Sequence, residues 1–245
     1  MIKTFPRLSV VPSRVVELAW CVLILTATAS SLHATEDRAT VFEDDFDNRQ
    51  SVGEGYTSAR GTEDAWNIVD GVLVGKQTKS DHGAVIRKNI KFDDIDLQFD
   101  FRFSGGTRFN FVLDDQNEKS VHAGHICRVS ISPKRISVTD DKTGNMNLEV
   151  RKQRQSKNLS PEQQKSLDKL LAEKTNAAAV NLKPGQWYRL GVRIKGDSLE
   201  ASLDGKKIAE LRSPGIDHST KTKIGMTVNG STIDFDNLKV FSVSR

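Results

Sequence analysis

Residues 186–211 read QWYRLGVRIKGDSLEASLDGKKIAEL, and residues 224–241 read IGMTVNGSTIDFDNLKVF. In the first stretch Tyr188, Leu190, Val192 and Ile194 alternate with Arg189, Gly191, Arg193 and Lys195. Leu199, Ala201 and Leu203 then alternate with Glu200, Ser202 and Asp204. Successive side chains of a strand point to opposite faces, so each run predicts a strand with one dry face and one wet face. Gly196-Asp197 and Asp204-Gly205 stand between the runs, where short hairpin loops need residues that tolerate positive φ.

The pattern continues upstream. Residues 66–75 (WNIVDGVLVG) predict a hairpin around Asp70-Gly71, and residues 84–88 a short strand. Residues 95–103 (IDLQFDFRF) place Ile95, Leu97, Phe99, Phe101 and Phe103 on one face. Gly105-Gly106 predicts a turn before a strand at 109–113, and a further pair follows at 126–132 and 135–139. One helix is expected at about 160–175: Ser160 stands as N-cap, Pro161 at the first helical position and Gln163 three residues after the cap. About a dozen strands, no βαβ alternation and no internal repeat predict an all-β, two-sheet antiparallel jelly-roll sandwich with one inserted helix.

The chain has 245 residues, and its start does not read as fold. Lys3, Arg7 and Arg14 precede an apolar run at 18–29 (LAWCVLILTATA), and small residues follow, up to Leu32-His33-Ala34. That order predicts a signal peptide over 1–34, a linker over 35–40 and the sandwich over 41–245. The run falls short of the roughly 20 apolar residues that span a bilayer, so no membrane span is expected after processing. The expected location is secreted, periplasmic or in the cell envelope. Lys3, Arg7, Arg14 and Glu17 leave with the leader, so a net charge of +4 falls to about +2. Arg151, Lys152, Arg154 and Lys157 cluster in a polar stretch expected to be a solvated loop, and no basic stripe is interleaved with aromatics. Nucleic acid is therefore not an expected partner. Only Cys127 remains after processing, which excludes an intrachain disulfide.

FEDDF at 42–46, WNIVDGVLVG, IDLQFDFRF, the run from Pro184 to Ile208 and the closing IDFDNLKV resemble the concanavalin A-like (LamG-like) sandwich superfamily. Within it the chain resembles the bacterial 3-keto-disaccharide hydrolase domains of exported proteins. The resemblance spans about Val41 to Val243. It implies a carbohydrate (oligo- or polysaccharide) partner and, for the hydrolase family, cleavage of a glycoside. That family usually shows an Asn-Ser-Gly stretch where this chain has GGTRFNFVLDD (105–115), so no family catalytic residue is transferred. The paired glutamates of the fold's retaining glucanases are absent too. The nearest carboxylates, Asp94, Asp96 and Asp100, have another spacing and belong to the wet face of a strand.

The candidate catalytic residues are His122, His125, Asp114 and Asp140. The two histidines form H-A-G-H before a strand, and imidazole titrates near neutral pH. Asp114, Asp115, Asp140 and Asp141 fall at strand ends where they can complete a polar cluster; turn-capping carboxylates and locally bonded histidines are the plain alternative. Asp44, Asp45 and Asp236 are candidate ligands for a structural calcium ion (Ca2+), a hard cation that takes oxygen donors, if the first and last strands are neighbours. Trp66, Trp187, Tyr56 and Tyr188 are the aromatics to test for sugar stacking; Trp187 and Tyr188 are out of phase, so one of them faces outward. Three functions stay open: a glycan-binding or adhesion module, a glycoside hydrolase of the 3-keto-disaccharide type, and a structural cell-envelope protein.

Overall fold

A computed structural model of the chain describes residues 38–53, 55–59 and 61–243. The expected signal peptide lies outside the described residues. Along the chain run β1 (Arg38–Asp44), β2 (Tyr56–Ser58), β3 (Trp66–Val69), β4 (Val72–Lys76), β5 (Ala84–Phe92), β6 (Ile95–Asp114), β7 (His125–Ser132) and β8 (Arg135–Asp140). Helices α1 (Leu148–Gln155) and α2 (Pro161–Glu173) follow, then β9 (Thr175–Ala179), β10 (Trp187–Lys195), β11 (Ser198–Leu203), β12 (Lys206–Arg212) and β13 (Lys221–Val243).

Two long strands build the sandwich. The first half of β6 pairs with β10 and with residues 232–242 of β13; its second half pairs with β7 and with residues 223–230 of β13. One layer therefore runs β12-β11-β10-β6-β13, with β4-β3 and β1 beyond β13. The other runs β9-β8-β7-β6-β13-β5-β2. Both long strands cross between layers at the same place. Gly105 has φ +115° and Gly230 φ +83°, and the β6–β13 register shifts repeatedly between Asn229 and Ile233. Bulges with glycine bend a strand sharply while its pairing resumes on the far side.

This corrects the expectation of a turn at Gly105-Gly106. The residues that permit a turn here permit a fold-over within one strand, and β13 likewise runs on as one strand through Gly230. The fold-over closes the core: Phe99 packs on Phe111 with ring centroids 5.2 Å apart, Phe101 on Phe109 at 5.1 Å, and Phe109 on Phe235 at 5.1 Å. Burying such side chains stabilises by about 1.5–3 kcal/mol each. All five apolar residues expected on one face of 95–103 are buried, as is Cys127.

The hairpin turns are as expected, with positive φ at Asp70, Gly71, Gly196, Asp204 and Gly205. Helix α2 starts with the expected capping box: Gln163 N–H donates to Ser160 Oγ, and Ser160 N–H donates to Gln163 Oε1. Helix α1 replaces the expected solvated loop at 148–155. Asn147 caps it, its Oδ1 accepting from the N–H groups of Glu149 and Val150. Residues 38–40, expected in a linker, belong to β1, and the alanine-rich β9 was not foreseen. Strand β5 runs on to Phe92, four residues past the expected end.

Candidate functional site

The two outer faces of the sandwich differ chemically. On the β10 layer, the side chains that alternate outward neutralise one another. Arg189 binds Asp100 through two hydrogen bonds of 2.7 and 2.9 Å, and Arg102 binds Asp234 at 2.6 Å. Trp187 is the outward member of its pair with Tyr188, but Arg102 lies over its ring, 4.6 Å from the centroid.

The β7 layer is different. The alternation that buries Val129 and Ile131 turns Arg128, Ser130 and Ser132 outward. On β8 it turns out Arg135, Ser137 and Thr139. Strand pairing aligns these in transverse rows. Arg87, Gly225, Val112, Arg128, Thr139 and Thr175 form one; Thr227, Asn110, Ser130 and Ser137 form the next. The result is a trough of about 600 Å³, floored by β6 to β9 and bounded by Asn145 and Asn229. Beside it, a second depression of about 380 Å³ is lined by Arg87, Asp114, Val121, Ala123, Gly124 and Lys223.

Asp114 and His125 meet where the rows end. Asp114 pairs across strands with His125, and His125 Nδ1 lies 2.7 Å from Asp114 Oδ1. Arg87 Nε donates to the other oxygen at 3.3 Å. Asp114 is buried, so its charge orients the imidazole firmly. With Nδ1–H donated to Asp114, Nε2 keeps its lone pair free; no hydrogen bond engages Nε2 among the described residues. His122 stands alongside, its ring centroid 6.3 Å from that of His125. Ala123 at φ +57° and Gly124 at φ +79° make the tight bend that sets the two rings side by side. Partial desolvation, then the positive charge of Arg151, lower the His122 imidazole from its ordinary value, although the side chain is largely exposed.

Of the expected catalytic residues, the structure thus brings His122, His125 and Asp114 together. Asp140 is elsewhere in role: its carboxylate accepts from Ser213 Oγ, Thr143 Oγ1 and the Thr143 and Gly215 N–H groups, tying the loop before α1 to the loop after β12. Asp115 takes His218, at 2.8 Å, and Thr220. Burial pushes its carboxyl up, but the Asn117 N–H, His218 and Thr220 outweigh that and hold it low. Asp141 is fully buried with neither oxygen hydrogen-bonded; Arg128 Nη2 lies 3.1 Å away, out of hydrogen-bonding alignment. Burial drives its carboxyl up to about 6, against the pull of Arg128 and His125.

Among the described residues no group of three or more His, Cys, Asp or Glu is placed to hold a metal ion. The first and last strands do pair, as expected. The calcium group of Asp44, Asp45 and Asp236 is nevertheless not assembled. Asp44 is turned to Arg49, at 2.8 Å, and to the Tyr56 hydroxyl, at 3.0 Å, and these fill its acceptor sites. Asp236 accepts from the Asn237 N–H, and burial with the nearby Asp47, Asp100 and Asp45 pushes its carboxyl up.

The arginines of the trough were not singled out from sequence, although the outward phase of β7 and β8 marks Arg128 and Arg135. His218 carried no sequence signal, because a contact made 103 residues from Asp115 has none.

The profile of the 3-keto-alpha-glucoside-1,2-lyase-like domain matches residues 42–241, most of the chain. The chain belongs to that family. As a member of the lyase-like family it is a carbohydrate-related sandwich, and its solved likenesses share the architecture. The laminarinase from Rhodothermus marinus superposes with a TM-score of 0.59 at 10% identity, covering 86% of this chain and 100% of that one. The carbohydrate-binding module CBM66 from Bacillus subtilis gives 0.51 at 12%, covering 77% and 96%. A sialidase gives 0.57 at 12% over 84% of this chain, which spans only 18% of the sialidase. At such identities the likeness shows the fold. No curated protein matches the sequence. No helix among the described residues is long and apolar enough to cross a membrane.

Proposed function

We propose that this is an exported domain that cleaves 3-keto-α-glucosides by elimination across C1 and C2, with His125 as the base. The observation that carries the proposal is the His125–Asp114 pair, with Arg87 donating to the same carboxylate, at a depression that Asp114 and Arg87 line. A ketone at C3 makes the C2 hydrogen acidic, so one well-placed base starts the reaction. Nε2 of His125 takes the C2 proton, and the C2–H electrons pass into an enolate on the C3 oxygen. The enolate collapses to form the C1=C2 double bond and breaks the bond from C1 to the leaving oxygen. That oxygen gains a proton, equivalent to the one lost from C2. Asp114 orients the base and stabilises its imidazolium, in the manner of any carboxylate-supported histidine. Arg87 and Arg128, in the adjacent row, supply positive charge for the enolate. The leader over 1–34 supports export, and the N-terminus of the protein recovered from a native host tests it.

The decisive assay follows a 3-keto-α-glucoside by NMR in D2O. The wild type is expected to release the aglycone, and His125→Ala to lose at least about 100-fold in turnover. Undiminished turnover in His125→Ala removes the assignment. A wild type that binds the glycoside without turning it over decides instead for the glycan-binding module, which the same trough serves.

A further inference from the structure

The trough is lined by twelve residues, three of them arginines and none acidic. Arg128 has Asp141 behind it, but Arg108 and Arg135 make no ion pair among the described residues. The polar contact of the Arg108 guanidinium is a long one, 3.5 Å to Asn229 Oδ1. Ser132 pairs with Arg135, and Phe109 with Ile131, so Arg108 and Arg135 flank Ser132 on the two neighbouring strands. Adjacent strands lie about 4.8 Å apart, which sets the two arginine Cα atoms about 10 Å apart across the trough. The opposite outer face, by contrast, neutralises Arg102 and Arg189 with carboxylates.

Two guanidiniums facing one concavity without a counter-ion repel each other and focus a positive potential into it. The planar fork of each is suited to a two-oxygen anion. Hydroxyls of Ser130, Ser137 and Thr175 surround them, the donors and acceptors that sugar hydroxyls need. We infer that this end of the trough is a subsite for an anionic group, a carboxylate or a sulfate, carried by the saccharide, so that acidic glycans are the class this protein binds. Ser132 is four residues from Arg128 along β7, about 13 Å. The anionic group therefore sits on the leaving portion, away from the ring at His125. The inference rests on the proposed function only for that orientation; the subsite stands without it.

Isothermal titration compares three probes: a trisaccharide with one glucuronate, the same trisaccharide with glucose in its place, and its 6-sulfated form. At least one acidic form is expected to bind about tenfold or more tightly than the neutral one, with the margin narrowing as salt rises. Which acidic form does so distinguishes a carboxylate from a sulfate subsite. The double variant R108Q/R135Q is expected to lose the margin, its affinity for the acidic probes falling to that for the neutral one. Both residues are exposed, so its unfolding midpoint serves as the check on fold. Trp187→Ala, on the opposite face, is expected to keep the margin. Equal affinity for neutral and acidic probes, no binding of any probe, or a margin that survives in R108Q/R135Q overturns the inference. Titration of His125→Ala separates the two proposals: a margin without turnover sustains the subsite alone.

Discussion

Replacing Asp141 with asparagine is expected to stabilise the protein at alkaline pH and not in acid. Asp141 is fully buried, and both of its oxygens lack hydrogen bonds. Its carboxyl is driven from the ordinary 3.8 up to about 6, a value that already contains the attraction of Arg128. A carboxyl whose pKa is raised by folding adds stability below its unfolded value, where both states hold the proton, and loses it as pH rises through the folded value. The full span is about 3 kcal/mol, from 1.36 kcal/mol for each unit between 3.8 and 6. Between pH 4.5 and pH 8 about 2 kcal/mol of it is crossed. Asparagine keeps the shape and carries no charge, and Arg128, partly exposed, regains water. Urea denaturation of wild type and Asp141→Asn from pH 4.5 to 8 measures the difference directly. The variant is expected to gain about 2 kcal/mol on the wild type over that range, with the steepest change near pH 5, midway between the two values. In thermal scans this corresponds to roughly 4–8 °C. A difference that does not vary with pH, or a wild type that gains on the variant toward pH 8, refutes the reasoning. Stability recovered together with weakened glycan binding would show why the charge is kept: it holds Arg128 at the trough.

Asp114→Asn leaves the fold intact but removes the charge that orients His125, so turnover of the 3-keto-glucoside is expected to fall about 100-fold or more while substrate affinity changes little. Gly106→Ala places a Cβ against Ile233 where β6 crosses between layers. Overpacking there costs about 1–3 kcal/mol, read as a lower denaturation midpoint. Ser160→Ala removes the cap of α2 and costs about 1 kcal/mol, seen as faster hydrogen exchange of the first turn of the helix. Burial pushes the Cys127 thiol well above its ordinary range, so iodoacetamide is expected to leave it untouched in the native protein and to label it in urea.

The candidate site was half legible. HAGH and the aspartates at strand ends are short-range signals, and they located His122, His125 and Asp114. Their partition was not legible. Asp114, Asp115, Asp140 and Asp141 look alike in sequence, yet one orients a histidine, one binds His218, one ties two loops together and one is buried behind an arginine. The partner decides the role, and the partners stand up to 105 residues away. The calcium candidates are separated for the same reason: Asp44, Asp45 and Asp236 have a suitable composition, but Asp44 is engaged by Arg49 and Tyr56.

Periodicity alone determined the fold class, because a strand's two faces are written two residues apart and its turns need residues that accept positive φ. It located the buried face of 95–103 and the hairpins of 186–211 residue by residue. Only the tertiary structure decided that Gly105-Gly106 bends a strand instead of reversing it. A glycine permits both outcomes, and pairing with β13 selects one. The same long-range pairing lays Arg87, Arg128 and His125 on one outer face and leaves Arg108 and Arg135 without counter-ions among the described residues. Register between strands distant in sequence is a property of the folded sheet, and the site is made of it.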